Sequence, residues 1–126
     1  MELTHILVVS DLPRSVRWYR DVLGATLTGE YDGTSTVFNY DGAWLLVVTP
    51  GGETPTNQGR NSCRPPTPRR SATALTIRVP DCRAAYEMLR SRGARFLTEP
   101  NESAWEVRCF FRDPDRHLFE ISERKA

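Results

Sequence analysis

Glu120 lies between Phe119 and Ile121 in the segment FFRDPDRHLFEIS, residues 110–122. A carboxylate flanked by apolar side chains has two chemical readings. Either it ligates a metal with partners from elsewhere in the fold, or it is a charge on a half-exposed strand. The other reactive types are sparse. Cys63, Cys82 and Cys109 are odd in number and scattered, which fits neither a disulfide framework nor a CxxC zinc pattern and suits a reducing cytoplasm. Arg64, Arg69 and Arg70 form a small basic cluster without interleaved aromatics, and the net charge of +1 supplies no overall field for nucleic acid or an acidic membrane surface. No apolar run approaches the roughly 20 residues needed to span a bilayer. MELTHILVV enters strand-like sequence with no charged leader or cleavage site, so a cytoplasmic protein is expected.

The elements that must position these groups follow from periodicity. Leu3–Val9 is β-branched and apolar, as expected of a buried strand. In SDLPRSVRWYRDVLG the period changes: Leu12, Val16, Tyr19 and Leu23 recur at helical spacing, opposite Arg14, Arg17 and Arg20. Asp11 is the expected N-cap, Pro13 fits the first turn and Gly24 provides the left-handed stop. Strands are predicted at Thr26–Tyr31, Thr34–Tyr40 and Ala43–Thr49, with hairpin signals at Asp32-Gly33 and Asp41-Gly42.

The same order then returns. ALTIRV reads as a strand, and PDCRAAYEMLRSRG as a helix capped by Asp81, with Cys82, Ala85, Tyr86 and Leu89 inward and Gly93 at its end. Strands follow at Arg95–Thr98, Glu106–Arg112 and His117–Glu123. VSDL matches VPDC, LGA matches RGA, and FNYDGAWLLVV matches FRDPDRHLFEI. Each half is therefore β-α-β-β-β, and neither buries both faces of its sheet alone, which explains the repetition. The expected organisation is α+β: a first module over 1–49, a Pro/Gly/Arg-rich linker over 50–72, and a second module over 73–126.

HILVVSDLPRSVRWYRDVLGA, FFRDPDRHLFEIS and the doubled unit resemble the vicinal-oxygen-chelate superfamily, which includes glyoxalase I, extradiol dioxygenases, fosfomycin-resistance enzymes and bleomycin-binding proteins. The resemblance covers nearly the whole chain except the linker. It implies two modules whose mixed sheets curl into a cup, often within a homodimer. In the superfamily's metalloenzymes, histidines and glutamates from the first and last strands of each module hold a divalent metal, which stabilises a developing oxyanion. Such ligands suit zinc, nickel, manganese or iron.

Carried over residue by residue, the resemblance puts Glu120 at the last-strand ligand position, as a metal ligand or catalytic carboxylate. His5 would be the first ligand, but it precedes the capping Asp11 by six residues where the family's histidine precedes by seven. Thr4 holds that position. A slip of one residue points the imidazole away from the cup unless a bulge restores it. Ala74 stands where the second histidine is expected, and Leu46 where the first module's glutamate is expected. Catalytic metal sites commonly use three protein ligands, so the cofactor expectation is one divalent metal or none. Arg116 replaces the family's turn glycine, at a cost of about 1 kcal/mol if the turn keeps its positive φ. Suitable codons for residues 67–73, read one base earlier, spell Asp-Pro-Ala-Thr-Val-Ser-His. A compensated pair of frameshifts would explain both the lost histidine and the composition of the 54–73 stretch; codons unable to encode that frame would refute it.

Alternation places Thr76 and Arg78 on the face of Ala74, and Ser122 and Leu118 on that of Glu120, with Thr4 and Trp44 as first-module counterparts. Thr4, Trp44, Thr76, Arg78 and Ser122 are the expected small-molecule contacts. Arg78 and Glu120 have an alternative reading as an ion pair across two strands, and Trp44 and Trp105 as core or dimer packing. Three functions are compatible with this pattern: a metal-free or metal-degenerate binding protein of the bleomycin-resistance kind, a metal-dependent lyase or dioxygenase, and a dimeric accessory module.

Overall fold

A computed structural model describes residues 3–31, 33–50 and 74–125. Beyond Pro50, the predicted linker lies outside these residues, as does the 54–73 stretch with Cys63 and the three-arginine cluster. The chain divides into two units, Met1–Pro65 and Pro66–Ala126, each with its own sheet and helix.

In the first unit the Asp11 carboxylate accepts the Arg14 N–H at 3.1 Å and starts α1 (Leu12–Trp18), which follows β1 (Thr4–Val8). The helix does not run regularly to Gly24 as its spacing predicts. It widens into a π-helical turn over Tyr19–Leu23, where the Tyr19 carbonyl accepts the N–H groups of both Gly24 and Ala25. Gly24 still ends it, at φ 86°. The chain returns through β2 (Thr26–Tyr31), β3 (Ser35–Tyr40) and β4 (Ala43–Val48). Asp41 and Gly42, at φ 48° and 91°, make the tight reversal between β3 and β4. The strand order is β1-β4-β3-β2, and β1 lies parallel to β4. Leu7, Leu45, Val47 and Phe38 form one buried face with Tyr19, whose ring is 5.9 Å from that of Phe38.

The second unit repeats this path: β5 (Ala74–Arg78), α2 (Cys82–Ser91), β6 (Arg95–Phe96), β8 (Glu106–Arg112) and β9 (Leu118–Arg124). Asp81 caps α2 by accepting the Ala84 N–H at 3.0 Å. Two details depart from the sequence pattern: β6 is shorter than predicted, and a further short strand, β7 (Asn101–Glu102), pairs with β8. The order is β5-β9-β8-β6, with β5 parallel to β9. Val107, Cys109, Phe111, Phe119 and Ile121 are all buried against α2. The Tyr86, Phe96, Phe111 and Phe119 rings form a continuous chain with centroids 4.6, 5.0 and 5.3 Å apart. At about 1.5–3 kcal/mol per large apolar side chain, these two buried faces dominate the stability of the units.

Candidate functional site

Alternation along β5, β9 and β8 sends the apolar residues to the helix and every other residue to the opposite face. The register fixes who meets whom there: Thr76 lies opposite Glu120, Arg78 opposite Ser122, Phe110 opposite Glu120 and Arg108 opposite Ser122. The result is a polar network across the outward face of this sheet. The Thr76 hydroxyl donates to Glu120 Oε1 at 3.1 Å. Arg78 Nη1 donates to Ser122 Oγ at 2.8 Å, and the Ser122 hydroxyl donates onward to Glu106 Oε2 at 2.8 Å. Glu106 is flanked by two guanidinium groups, Arg78 Nη1 3.5 Å from Oε2 and Arg108 Nη1 3.5 Å from Oε1. Arg108 Nη1 also lies 3.7 Å from Glu120 Oε2, and its guanidinium is 5.8 Å from the Phe110 ring.

Thr76, Arg78, Glu120 and Ser122 therefore converge as alternation predicts. The predicted pairing of Arg78 with Glu120 does not occur: those residues are offset by two positions in the register, and Arg78 finds its carboxylate in Glu106 instead. Glu106, Arg108 and Phe110 were legible in principle, because EVRCFFR alternates them with Val107, Cys109 and Phe111.

The turn that delivers β9 is built on Asp113, whose side chain is fully buried. Its Oδ1 accepts the N–H groups of Asp115 at 3.0 Å and His117 at 2.7 Å, while Oδ2 lies 2.7 Å from His117 Nδ1. A carboxylate only accepts, so Nδ1 carries the hydrogen. Arg116 occupies the left-handed region at φ 71°, so the turn keeps its positive φ with a non-glycine residue. The Arg116 carbonyl accepts Arg112 Nη1 at 2.8 Å.

On the first unit, Thr4 pairs with Trp44 and Ile6 with Leu46, on the face away from α1. His5 pairs with Leu45 and shares the face of Leu7 and Phe38. β1 runs in unbroken register from Thr4 to Val8, so no bulge turns the imidazole back. Trp105 is 80% exposed, which excludes core packing for that residue.

Tested as a metal centre, this donor set does not fit a divalent cation. Glu120 Oε1 is taken by a hydroxyl and Oε2 faces the positive charge of Arg108. Ala74 and Leu46 offer no donor atom, and among the described residues no three His, Cys, Asp or Glu side chains cluster closely enough to hold a metal.

Two cysteines form a separate buried pair behind the sheet, Cys82 Sγ 3.9 Å from Cys109 Sγ. Burial pushes the Cys109 thiol up to about 12 and raises that of Cys82 as well. Neither belongs to the polar face.

Comparison with known proteins agrees with this architecture. The chain is 28% identical over 114 residues to metallothiol transferase FosB of Staphylococcus saprophyticus, covering 90% of this chain and 70% of FosB. A glyoxalase/bleomycin resistance protein/dioxygenase structure from Nocardioides superposes with a TM-score of 0.82 at 23% identity, over 98% of this chain and 83% of that one. TnmS3, an antibiotic binding protein from a Streptomyces species, superposes with a TM-score of 0.69 at 19% identity, over 99% and 96%. With the doubled β-α-β-β-β unit in place and residues 2–121 matching the family, the chain belongs to the Glyoxalase/Bleomycin resistance protein/Dioxygenase superfamily.

Proposed function

We propose that this chain is a small-molecule-binding protein of the bleomycin-resistance kind, which sequesters its ligand on the Thr76–Arg78–Glu120–Ser122 face without a resident metal. The observation that carries this reading is the state of Glu120. Its carboxylate is held by the Thr76 hydroxyl and sits beside the Arg108 guanidinium, an environment that favours an organic polar group over a cation. Thr4 and Trp44 are the proposed contacts of the first unit's equivalent face. The fold likeness to TnmS3, an antibiotic binding protein, supports a binding role. A homodimer is proposed with it, and light scattering on the purified chain tests that state.

One observation favours a second reading, a divalent-metal-dependent lyase or dioxygenase using Glu120 as a ligand: the 28% identity to a metallothiol transferase. Elemental analysis of protein purified without chelator separates the two. The binder contains zinc, nickel, manganese and iron only far below one equivalent and gains thermal stability with its ligand. One equivalent of metal that disappears in Glu120→Ala overturns the proposal.

A further inference from the structure

The hydrogen-bonding capacity of the polar face is unevenly spent. All four carboxylate oxygens of Glu106 and Glu120 already face a hydroxyl or a guanidinium within the network. The arginines are the reverse case. Arg78 and Arg108 each engage these partners through Nη1 alone, and among the described residues nothing meets their Nε or Nη2 groups. A guanidinium offers five N–H donors in a rigid fork, so most of this capacity remains. The exposures agree: the arginine side chains are 62% and 53% exposed, while those of Glu106 and Glu120 are 27% and 13% exposed. What the face presents outward is donors and positive charge.

The wider face strengthens the asymmetry. Register places Arg124 beside Glu106, and Arg112 with Arg95 beyond Phe110, all on the same side of the sheet as Arg78 and Arg108. Among its described residues this face carries five arginines and two glutamates. Like charges brought together on one sheet face repel, and a bound anion relieves that repulsion. Glu106 meanwhile holds Arg78 and Arg108 side by side, one at each oxygen, so their forks are positioned before any ligand arrives. Phe110 lies next to Arg108 and provides an apolar surface against which a flat group can rest.

From this geometry we infer that the ligand is an oxyanion, a carboxylate or a phosphonate or phosphate group, attached to a flat apolar body and gripped by the free donors of Arg78 and Arg108. This rests on the binding reading above and specifies its ligand class. Glu106 acts as a positioning residue, orienting the two forks without contacting the ligand. The shared chemistry is bidentate recognition of oxygen pairs, for which arginine is better shaped than lysine.

The test uses the full chain and two matched probes, phenylphosphonate and its neutral dimethyl ester, titrated by calorimetry and by amide NMR. Phenylphosphonate binds, shifts the amides of β5, β8 and β9, and weakens as salt is raised. Arg78→Gln and Arg108→Gln each weaken it about tenfold or more, consistent with loss of a charge-assisted hydrogen bond. Both positions are more than half exposed, so the variants retain the fold, verified by circular dichroism. Equal affinity for the neutral ester, or indifference to both substitutions, overturns the inference while leaving a binding protein in place. Failure of phenylphosphonate to bind at about 10 mM, weaker than any useful affinity for a specific ligand, also overturns it. The metal analysis above fails or succeeds independently of these titrations.

Discussion

Removing the Asp113 carboxylate is expected to loosen the hairpin that delivers Glu120 and Ser122. At least three hydrogen bonds end on this one side chain, among them two from backbone N–H groups and one from His117 Nδ1. The carboxylate is wholly buried, so Asp113→Ala leaves donors that water reaches only after local opening. Hydrogen bonds to a charged group contribute about 1.5–3 kcal/mol each. Discounting for solvent entry at the exposed Arg116 side of the turn, we expect a loss of about 4 kcal/mol. With an m-value of about 2 kcal/mol per molar urea, that moves the unfolding midpoint by about 2 M. Asp113→Asn separates geometry from charge. Its amide oxygen can still accept the Asp115 and His117 backbone N–H groups, and its NH2 can donate to Nδ1 once the imidazole takes the other tautomer. Asn should therefore cost about 1 kcal/mol near neutral pH. Urea denaturation of the three proteins, with His117→Ala to complete the cycle, measures each contribution. An Asn variant as unstable as the Ala variant would show that negative charge, and not the directed acceptors, organises the turn. An Ala variant within about 0.5 kcal/mol of the parent, the range of ordinary surface changes, would refute the argument altogether.

Other outcomes can be checked on the same preparations. Arg116→Gly relieves a left-handed residue at φ 71° and should raise stability by roughly 0.5–1 kcal/mol, or about 2–4 °C in melting temperature. The raised Cys109 thiol makes stability fall with alkaline pH. The unfolded chain releases that proton near the ordinary thiol pKa, while the folded chain holds it up to about 12. Stability is thus intact below pH ~9 and declines by up to about 1.4 kcal/mol per pH unit above it. Cys109→Ala should reduce that slope, leaving the contribution of the raised Cys82 thiol, and a parent whose stability is flat between pH ~9 and ~11 would contradict the assignment. Glu123→Ala removes the acceptor 2.9 Å from the Cys82 N–H at the start of α2 and should cost about 1–2 kcal/mol, measured by urea denaturation.

Much of this fold can be read from local rules. Asp11 and Asp81 cap helices because each follows a strand and precedes an amphipathic run; Asp41-Gly42 turns because both residues tolerate positive φ. The duplication fixes the strand order once one module is understood. The π-helical turn at Tyr19 was not legible, since the same side chains satisfy a regular helix, and the wider winding shows only in the bonds to the Tyr19 carbonyl. β7 is not legible in the sequence because its two residues carry no period. In the site, alternation placed Thr76, Arg78, Glu120 and Ser122 on their shared face, yet it cannot set the offset between neighbouring strands. That offset decides that Arg78 meets Glu106 and not Glu120.

Thr76 and Glu120 are 44 residues apart and meet only because β5 lies beside β9. Among the described residues of its unit, β5 pairs with β9 alone, so it lies at one edge of that sheet and is released when that single ladder opens. A ligand that needs Arg78 in place binds only when that edge is zipped shut, and its binding energy adds to the local opening free energy. Amide hydrogen exchange along Ala74–Arg78 should therefore slow on ligand binding far more than exchange along β8. The edge strand then serves as an occupancy gauge that can be read before the ligand itself is identified.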